Sequence, residues 1–170
     1  GAFVAVETHI ACGICSTCRT GRAHICRNLK ILGVDTDGAF AEYVVVPAEN
    51  AWIVGEGIHP DHASVMEPFG NAVHATFGTE GGEDLLTNPV AVIGCGPIGL
   101  FAVGIARALG AWKVIAIEPN DERRSLAAKM GADLLVDPSA DDPVEAVMDA
   151  TEGNGAEVVL EMSGNATAID

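Results

Sequence analysis

Four cysteines lie close together near the start of the sequence, in the stretch ACGICSTCRTGRAHIC. They have the spacing C-x2-C-x2-C-x7-C, at Cys12, Cys15, Cys18 and Cys26. Four thiolates complete the tetrahedral coordination of a zinc ion and leave no position for a substrate. An iron–sulfur cluster of the bacterial type needs a shorter last gap followed by proline, and paired disulfides are rare in cytosolic chains. The sequence therefore predicts a structural zinc site, whose negative charge is offset by Arg19, Arg22 and Arg27.

A second candidate site is the glycine-rich stretch VIGCGPIG, which contains the pattern G-x-G-x-x-G at Gly94, Gly96 and Gly99. The stretch follows an apolar run and opens a helical pattern, the context in which such glycines bind a dinucleotide. Gly94 permits a tight turn, Gly96 lets the backbone approach a pyrophosphate, and Gly99 allows the helix to pack closely on the strand. Pro97 and Ile98 begin the helix, whose free N–H groups favour an anion. We expect all five residues to form the cofactor-binding turn.

The end of the next apolar run, KVIAIE, bears on the choice of dinucleotide. Its last residue, Glu118, lies 19 positions after Gly99. A carboxylate there accepts hydrogen bonds from ribose hydroxyls and repels a 2′-phosphate, which favours NAD over NADP. Arg123 and Arg124 follow closely and could favour NADP instead. Cys95, inside the glycine turn, is expected to be a small buried side chain rather than a reactive thiol.

Apolar runs alternate with helical patterns in the second part of the chain: PVAVIG, PIGLFAVGIARALG, KVIAIE, NDERRSLAAKMG, DLLVDP, DPVEAVMDATEG and AEVVLEMSG. Such strands are buried on both faces, so the alternation predicts right-handed βαβ units in a parallel sheet. The first two helices are expected to end at Gly110 and Gly131. Ser163 and Gly164 fall at the carboxyl edge of the sheet, where a cofactor binds, and we expect Ser163 to contact its nicotinamide half.

The first part of the chain is irregular and β-rich. FVAVE predicts a strand, AFAEYVVVP alternates with period 2 and predicts a strand that stops at Pro47, and AWIV predicts another. DHASVMEPFGNAVHATF has helical spacing, which Pro68 and Gly70 are expected to interrupt. The sequence thus predicts an α/β protein in two parts, residues 1–60 and residues 61–170.

The composition argues against some functions. Asp and Glu number 24 against 9 Lys and Arg, a net charge of −15, so the basic stripe of a nucleic-acid-binding protein is absent. No apolar run reaches the ~18 residues of a membrane span. The acidity suits a surface adapted to high salt or an ordinary acidic cytosolic protein. GAFVAVETHI lacks the basic start of a signal peptide, and we expect a cytoplasmic location.

Together these motifs resemble the zinc-containing medium-chain alcohol dehydrogenase superfamily, through the four-cysteine lobe, GAFAEYVVVP and GCGPIG. Within it, THIACGIC, GAFAEYVVVPAENAW, MEPFGNAVHA and EVVLEMSG are most similar to the L-threonine 3-dehydrogenases. Sorbitol and butanediol dehydrogenases are similar in the same places. The resemblance implies part of a GroES-like catalytic domain with a structural zinc lobe at residues 1–60. It implies part of a Rossmann domain, a doubly wound parallel sheet that binds NAD, at residues 61–170.

The resemblance also implies a reaction. Such enzymes are NAD-dependent, and a catalytic zinc lowers the pKa of the substrate hydroxyl so that a hydride can pass to the nicotinamide; threonine would give 2-amino-3-oxobutanoate. Glu67 in MEPFG matches an acidic residue at or near that zinc, unless it merely caps a helix. His9 in THIACG matches a histidine that affects substrate choice, unless it only packs. His74 has a packing or a cofactor role, and His24 is expected to face solvent.

One departure from the superfamily stands out. The other catalytic zinc ligands, a Cys and a Gly-His-Glu segment, lie upstream of these motifs in the family and are not found in this sequence. The chain lacks an initiator Met and stops at Asp170, before the last Rossmann strands. We therefore expect an internal fragment, inactive alone, of a tetrameric homo-oligomer with a small alcohol or amino-acid substrate. A non-catalytic NAD-binding zinc module is the alternative to an enzyme.

Overall fold

The computed structural model describes residues 1–78 and 83–168, which form two compact units. The first unit is Gly1–Glu67 and the second is Pro68–Asp170. Within the described ranges, no helix combines the length and the apolar character needed to cross a bilayer.

The first unit is built on two small antiparallel strand pairs. Its elements in chain order are β1 Val4–Val6, β2 His9–Ile10, α1 Ser16–Arg19, a 3-10 turn at Ala23–Ile25, β3 Lys30–Ile31, a 3-10 turn at Ala48–Asn50, β4 Ala51–Ile53 and α2 Pro60–Ala63. Strand β1 pairs with β4, and β2 pairs with β3. The strands predicted from FVAVE and AWIV are thus confirmed and lie side by side.

The division between the units differs from the expected one between residues 60 and 61. The first unit continues to Glu67. The reason is that α2 lies against strand β1, where Pro60, Ala63 and Ser64 line a small cavity together with residues of that strand. The helical segment after residue 60 is therefore shared between the units.

The prediction of a strand in AFAEYVVVP is wrong. Residues 39–47 form no regular element, and the side chains of Phe40, Tyr43 and Val45 are almost fully exposed. Alternation of apolar residues gives a segment one apolar face, but a strand also needs a neighbour with which to exchange backbone hydrogen bonds. This segment pairs with no strand in the described part of the chain.

A buried asparagine holds the end of β1 and the start of β2 in place. The side-chain amide of Asn50 donates hydrogen bonds to the carbonyl oxygens of Glu7 at 2.8 Å and of His9 at 3.0 Å. The Glu7 N–H in turn donates to the Asn50 carbonyl at 2.9 Å. Asn50 is 4% exposed, so its hydrogen bonds are shielded from water and the backbone around Glu7 and His9 is well defined.

The second unit is an α/β layer structure. Its elements in chain order are α3 Met66–Phe77 (which begins two residues before the boundary), a 3-10 turn at Glu83–Leu85, β5 Pro89–Ile93, α4 Pro97–Leu109, β6 Lys113–Ile117, α5 Asp121–Met130, β7 Leu134–Val136, α6 Pro143–Ala150, β8 Val158–Glu161 and a 3-10 turn at Ala166–Ala168. The four strands are parallel in the order β7-β6-β5-β8. The predicted alternation of strands and helices is confirmed.

Helices cover both faces of this sheet, which explains its near-continuous apolar strands. On one face Val90, Val92 and Val114 pack with the buried alanines of α4 and α5. On the other face Ala91 and Ile115 pack with residues of α6. Strands β6 and β7 lie on one side of β5 and β8 lies on the other, so the strand order reverses at β5, where this class of sheet binds its ligands.

The helix ends follow the sequence signals. Gly110 and Gly131 terminate α4 and α5 with φ of +91° and +109°, a backbone conformation that residues with a Cβ rarely adopt. The side chain of Asn120 caps α5, and that of Asp142 caps α6. These stops and starts set the positions at which each strand ends and each helix begins.

Helix α3 corrects another expectation. It runs without a break from Met66 to Phe77, although Pro68 and Gly70 were expected to interrupt it. Pro68 is the third residue of the helix, and a backbone N–H in the first turn has no acceptor within the helix. The missing proline donor therefore costs no helical hydrogen bond.

Candidate functional site

The four cysteine thiols converge in the first unit. Their four Sγ atoms all lie within 4.8 Å of one another. Cys15 Sγ is 3.4 Å from Cys18 Sγ and 3.8 Å from Cys26 Sγ, and all four are free thiols. A tetrahedron of sulfurs around zinc, with Zn–S of ~2.3 Å, has edges of about 3.8 Å, whereas a disulfide bond is only ~2.05 Å long. The spacing of the thiols fits a metal ion.

The groups around the four thiols favour the thiolate at Cys15 and disfavour it at Cys18. The N–H groups of Cys12 and Asn28 each lie 3.3 Å from Cys26 Sγ. Contact with the Thr17 hydroxyl, 3.1 Å away, together with nearby backbone N–H groups, lowers the pKa of Cys15 to about 5. Partial desolvation and the neighbouring thiols raise the pKa of Cys18 to about 12. A divalent cation bound by all four sulfurs would stabilise every thiolate, including that of Cys18.

The basic residues and the histidine of the lobe lie outside the cluster. Arg19, Arg22, Arg27 and His24 are all exposed, as expected for His24. The residues present thus fit a zinc ion held by four thiolates, and this geometry leaves no ligand position for a substrate.

A second group of metal-ligating side chains lies elsewhere in the first unit. Glu7, His9 and Glu67 each place one ligand atom within 4.8 Å of the others. The Thr8 hydroxyl, between Glu7 and His9 in the chain, donates to Glu67 Oε1 at 2.9 Å. The structure therefore brings Glu67 and His9 together. It also places Glu7 and Thr8, which the sequence did not single out, beside Glu67. Two carboxylates and an imidazole are a donor set that zinc accepts.

Glu7 is a residue that the sequence reasoning missed. Its Oε1 accepts hydrogen bonds from the His9 backbone N–H at 2.9 Å and from His9 Nδ1 at 2.6 Å. Burial raises the pKa of Glu7, but the hydrogen bonds from the His9 backbone and ring lower it more, so its pKa lies below the usual range. The sequence carries no local signal for this contact, since a bend at Thr8, and not an extended chain, places Glu7 beside His9.

Glu67 also borders a small cavity. The cavity has a volume of about 290 Å³ and is lined by Glu67 together with Phe3, Val4, Ala5, Val6, Pro60, Ala63 and Ser64. A carboxylate at the edge of a mostly apolar pocket suits a ligand with both an apolar and a polar part. His74, further along α3, is exposed.

The three glycines of the turn in the second unit differ in the space around their Cα atoms. Gly94 has a φ of +86°, and a Cβ there would lie 2.6 Å from Ser163 Cα. A Cβ on Gly99 would lie 1.9 Å from the carbonyl oxygen of Gly94. Gly96, by contrast, has open space around its Cα. Gly94 and Gly99 thus allow close packing within the protein, and Gly96 leaves room for a ligand against the backbone.

Glu118 is tied to this turn. Its Oε2 accepts a hydrogen bond from the Cys95 N–H at 2.7 Å, and its Oε1 accepts one from the Asn120 N–H at 3.0 Å. The Glu118 side chain is only 4% exposed, and the Arg123 guanidinium, 56% exposed, lies 3.9 Å from it. Burial, followed by the charge of Glu118, raises the pKa of the Cys95 thiol to about 11, which fits an unreactive buried side chain.

The two arginines after Glu118 differ in what they contact. Arg124 is 14% exposed and pairs with Asp121 and Asp137, while its Nη1 donates to the Glu118 carbonyl at 2.6 Å. Arg124 is thus engaged within the protein. Arg123 lines the cleft described next and is the one of the pair that a ligand can reach.

A cleft of about 1300 Å³ lies at the carboxyl ends of the strands. Its lining includes five of the predicted cofactor residues, Gly94, Gly96, Glu118, Arg123 and Ser163. The other three predicted residues, Pro97, Ile98 and Gly99, are not part of the lining. Ile98 packs against the core, Pro97 begins α4, and Gly99 gives the close approach to Gly94.

Glu161 is a second residue that the sequence reasoning missed. Its Oε1 accepts hydrogen bonds from the backbone N–H of Ser163 at 2.7 Å, from the Ser163 hydroxyl and from the Gly164 N–H at 3.2 Å. These bonds, the one from the Ser163 hydroxyl foremost, hold the pKa of Glu161 below its usual range. Glu161 thereby shapes the turn after β8, which packs directly against the glycine turn, with Ser163 beside Gly94. The polar run after that strand was the available signal.

Comparison with known proteins shows two matching families. Residues 1–56 match the alcohol dehydrogenase GroES-like domain, and residues 97–170 match the zinc-binding dehydrogenase family. An L-threonine 3-dehydrogenase of Caldanaerobacter subterraneus is 53% identical over 99% of this chain and 48% of its own length. One of Pyrococcus abyssi is 49% identical over 100% of this chain and 48% of its own length. The chain thus spans about half the length of these curated relatives.

Solved structures show the same relationship. An alcohol dehydrogenase of Escherichia coli CFT073, named as short chain and complexed with NADH, has a TM-score of 0.83 and 34% identity, with 97% of this chain and 48% of that chain covered. A zinc-binding dehydrogenase of Sinorhizobium meliloti 1021 bound to NADP has a TM-score of 0.87 and 37% identity, with 100% of this chain and 49% of that chain covered. With its four-thiol lobe and its glycine turn at the switch point of a parallel sheet, this chain belongs to the zinc-containing medium-chain alcohol dehydrogenase superfamily.

Proposed function

We propose that this chain acts in an NAD-dependent zinc alcohol dehydrogenase that oxidises the hydroxyl of L-threonine to 2-amino-3-oxobutanoate. The observation that carries the proposal is the identity of about half of all residues with L-threonine 3-dehydrogenases along essentially the whole chain. The reaction moves a hydride from the carbinol carbon of threonine to NAD+ and releases the hydroxyl proton, which leaves a ketone and NADH.

Two different zinc roles are assigned to two sets of residues. Cys12, Cys15, Cys18 and Cys26 would hold a structural zinc, because four thiolates saturate its coordination. Glu67 would contribute to the catalytic zinc, with His9 beside it, because these side chains lie together with Glu7. When bound there, zinc supplies Lewis-acid chemistry that makes an alcohol hydroxyl more acidic.

The chain's own residues hold the groups around that reaction in place. Thr8 fixes the carboxylate of Glu67 by a hydrogen bond to Oε1. Glu7 holds the ring of His9. The anionic charge of Glu7 and Glu67 favours a substrate that carries an ammonium group, which threonine has and a polyol lacks.

The cofactor is assigned to the cleft of the second unit. Gly96 leaves open space for a pyrophosphate at the start of α4, where the N–H groups of a helix's first turn have no acceptor within the helix. The carboxylate of Glu118 is the group that would accept hydrogen bonds from the ribose, which favours NAD, and Ser163 would lie by the nicotinamide half. Arg123 would neighbour the adenosine end and is the residue through which NADP could be accepted.

Two alternative functions are compatible with the same motifs. A polyol dehydrogenase of the sorbitol or butanediol type has similar motifs, and a non-catalytic NAD-binding zinc module would use the same lobe and turn. A homotetrameric assembly and a cytoplasmic location stay predictions from the family resemblance and from the sequence.

The decisive experiment compares substrates with the protein expressed from its complete reading frame. NADH formation is followed with NAD+ and L-threonine, sorbitol or butanediol, for the wild type and for Glu67→Gln. We expect turnover of threonine well above that of the polyols, and a loss of about 10- to 100-fold in Glu67→Gln, whose amide is a poorer zinc ligand. Preferential turnover of a polyol would replace the threonine assignment, and the lack of any turnover would favour the non-catalytic module.

A further inference from the structure

The short segment Glu7–His9 converges on Glu67 with three consecutive side chains. Thr8 forms a bend between β1 and β2, and this bend lets neighbouring side chains approach one region. Thr8 donates to Glu67, and the ligand atoms of Glu7 and His9 lie within 4.8 Å of that of Glu67. The segment therefore places Glu7, whose carboxylate contacts the ring of His9, beside the two candidate zinc-site residues His9 and Glu67.

The backbone of this segment is held in place independently of its side chains. Asn50, which is buried, donates to the carbonyl oxygens of both Glu7 and His9. His9 also pairs with Ile31 in the β2–β3 ladder. The relative position of the Glu7 and His9 side chains is thus set by a rigid frame and not by the hydrogen bond between them alone.

A single oxygen of Glu7 receives two donors from His9. The backbone N–H lies 2.9 Å from Oε1, and the ring Nδ1 lies 2.6 Å from the same atom. An ionised carboxylate can only accept hydrogen bonds, and Oε1 of Glu7 already acts as the acceptor for the backbone N–H of His9. In the neutral imidazole the proton must therefore be on Nδ1, because a lone pair at that nitrogen would face the carboxylate oxygen.

We propose that Glu7 is a positioning residue that holds the neutral ring of His9 with its proton on Nδ1 and so keeps Nε2 as a lone-pair acceptor. A free histidine prefers the opposite tautomer, with the proton on Nε2. A carboxylate behind Nδ1 is the arrangement that orients histidines toward metals and substrates in other proteins. Nε2 of His9 would then be free to accept a hydrogen bond from a hydroxyl or an ammonium group of the substrate, or to serve as a ligand of the zinc when it is bound. This role rests on the proposed function, but the tautomer does not.

The tautomer is measured directly by NMR of protein labelled with ¹⁵N in the histidine rings, supplied with one equivalent of zinc, at a pH where the ring is neutral. We expect His9 to show a protonated Nδ1 and an unprotonated Nε2. In Glu7→Ala the ring should shift to the Nε2-protonated form. In Glu7→Gln the wild-type tautomer should persist, because the backbone N–H of His9 requires an acceptor oxygen at the same position. The exposed Glu56→Ala is the matched control, and unchanged signals of the other histidines report an intact fold.

Kinetics with L-threonine then connect the tautomer to function. We expect kcat to fall about 10- to 100-fold in Glu7→Ala, which is the usual effect of removing a partner behind a ligand histidine, and to recover largely in Glu7→Gln. A wild-type His9 with its proton on Nε2, or an unchanged tautomer in Glu7→Ala, overturns the inference. The expected tautomers without threonine turnover would leave the inference standing and remove the proposed substrate instead.

Discussion

The backbone N–H of Cys95 donates a hydrogen bond to Oε2 of Glu118 at 2.7 Å. This contact joins the glycine turn after β5 to the end of β6, in a place where both residues are buried. The other carboxylate oxygen accepts from the Asn120 N–H, at the start of α5. Glu118 thus fixes the shape of the cofactor turn, in addition to the role toward the ribose that its position suggests.

Replacement of this carboxylate is expected to affect both stability and cofactor choice. In Glu118→Ser the buried Cys95 N–H loses its acceptor, which should lower the free energy of unfolding by about 1–3 kcal/mol in urea denaturation. The ratio of dissociation constants for NADP and NAD should also approach unity, as measured by titration calorimetry. Glu122→Ser, an exposed change on α5, is the control. An unchanged ratio would show that the ribose carboxylate lies elsewhere.

Alanine substitutions at two glycines of the turn should distinguish a packing role from a role in ligand binding. Gly99→Ala places a methyl group 1.9 Å from the Gly94 carbonyl oxygen, so we expect a loss of about 1–3 kcal/mol in the free energy of unfolding. Gly96→Ala meets no atom within 4 Å, so it should unfold like the wild type but bind NAD more weakly. Gly104→Ala, in the same helix, contacts only the flexible end of Met130 and serves as the control. Wild-type NAD affinity in Gly96→Ala would contradict the proposed pyrophosphate position.

The four-thiol lobe should account for one metal ion. Elemental analysis is expected to find about one zinc per chain in the first unit's lobe, since four thiolates saturate one ion. Cys15→Ser should lose this zinc and become sensitive to proteolysis near the lobe, because ligand binding and local folding are coupled. Cys95→Ser removes a thiol outside the lobe and should keep the zinc. A zinc content in Cys15→Ser equal to that of the wild type would count against the four-cysteine site.

The acid side of the stability profile should depend on Asp133. Burial raises the pKa of this carboxyl, but hydrogen bonds from the Val114 N–H (2.8 Å) and from Arg107 outweigh it, so the pKa lies below its ordinary 3.8. A depressed folded-state pKa contributes stability above pH 3.8 that is lost as the pH falls through the lower folded-state value. Its contribution is therefore constant at neutral pH.

The variant Asp133→Asn tests this assignment through urea midpoints measured from pH 7 down to about pH 2. We expect lower stability at neutral pH, by at most about 1 kcal/mol because water screens the partly exposed pair, and a shallower decline in acid than in the wild type. The exposed Asp149→Asn on α6 should keep the wild-type profile. An equally steep acid decline in Asp133→Asn would show that other carboxylates account for it.

Much of the second unit could be predicted because its signals are local. Apolar runs, the caps at Asn120 and Asp142 and the glycines at Gly110 and Gly131 each act over a few residues, and the structure confirms the strands and helices that they mark. The strand expected in AFAEYVVVP failed for the complementary reason. Alternation is local, but strand pairing is not, and no partner strand lies in the described residues.

The sequence by itself determined the chemical inventory of this protein: four thiols at zinc spacing, a glycine turn between a strand and a helix, and the acidic residue at the end of the next strand. Only the tertiary structure decided which distant groups meet. Glu7, His9 and Glu67 converge across 60 positions of the chain because β1, the bend at Thr8 and the start of α3 lie together. Such convergence depends on how elements pack, and the residue types along a chain carry no local signal for it.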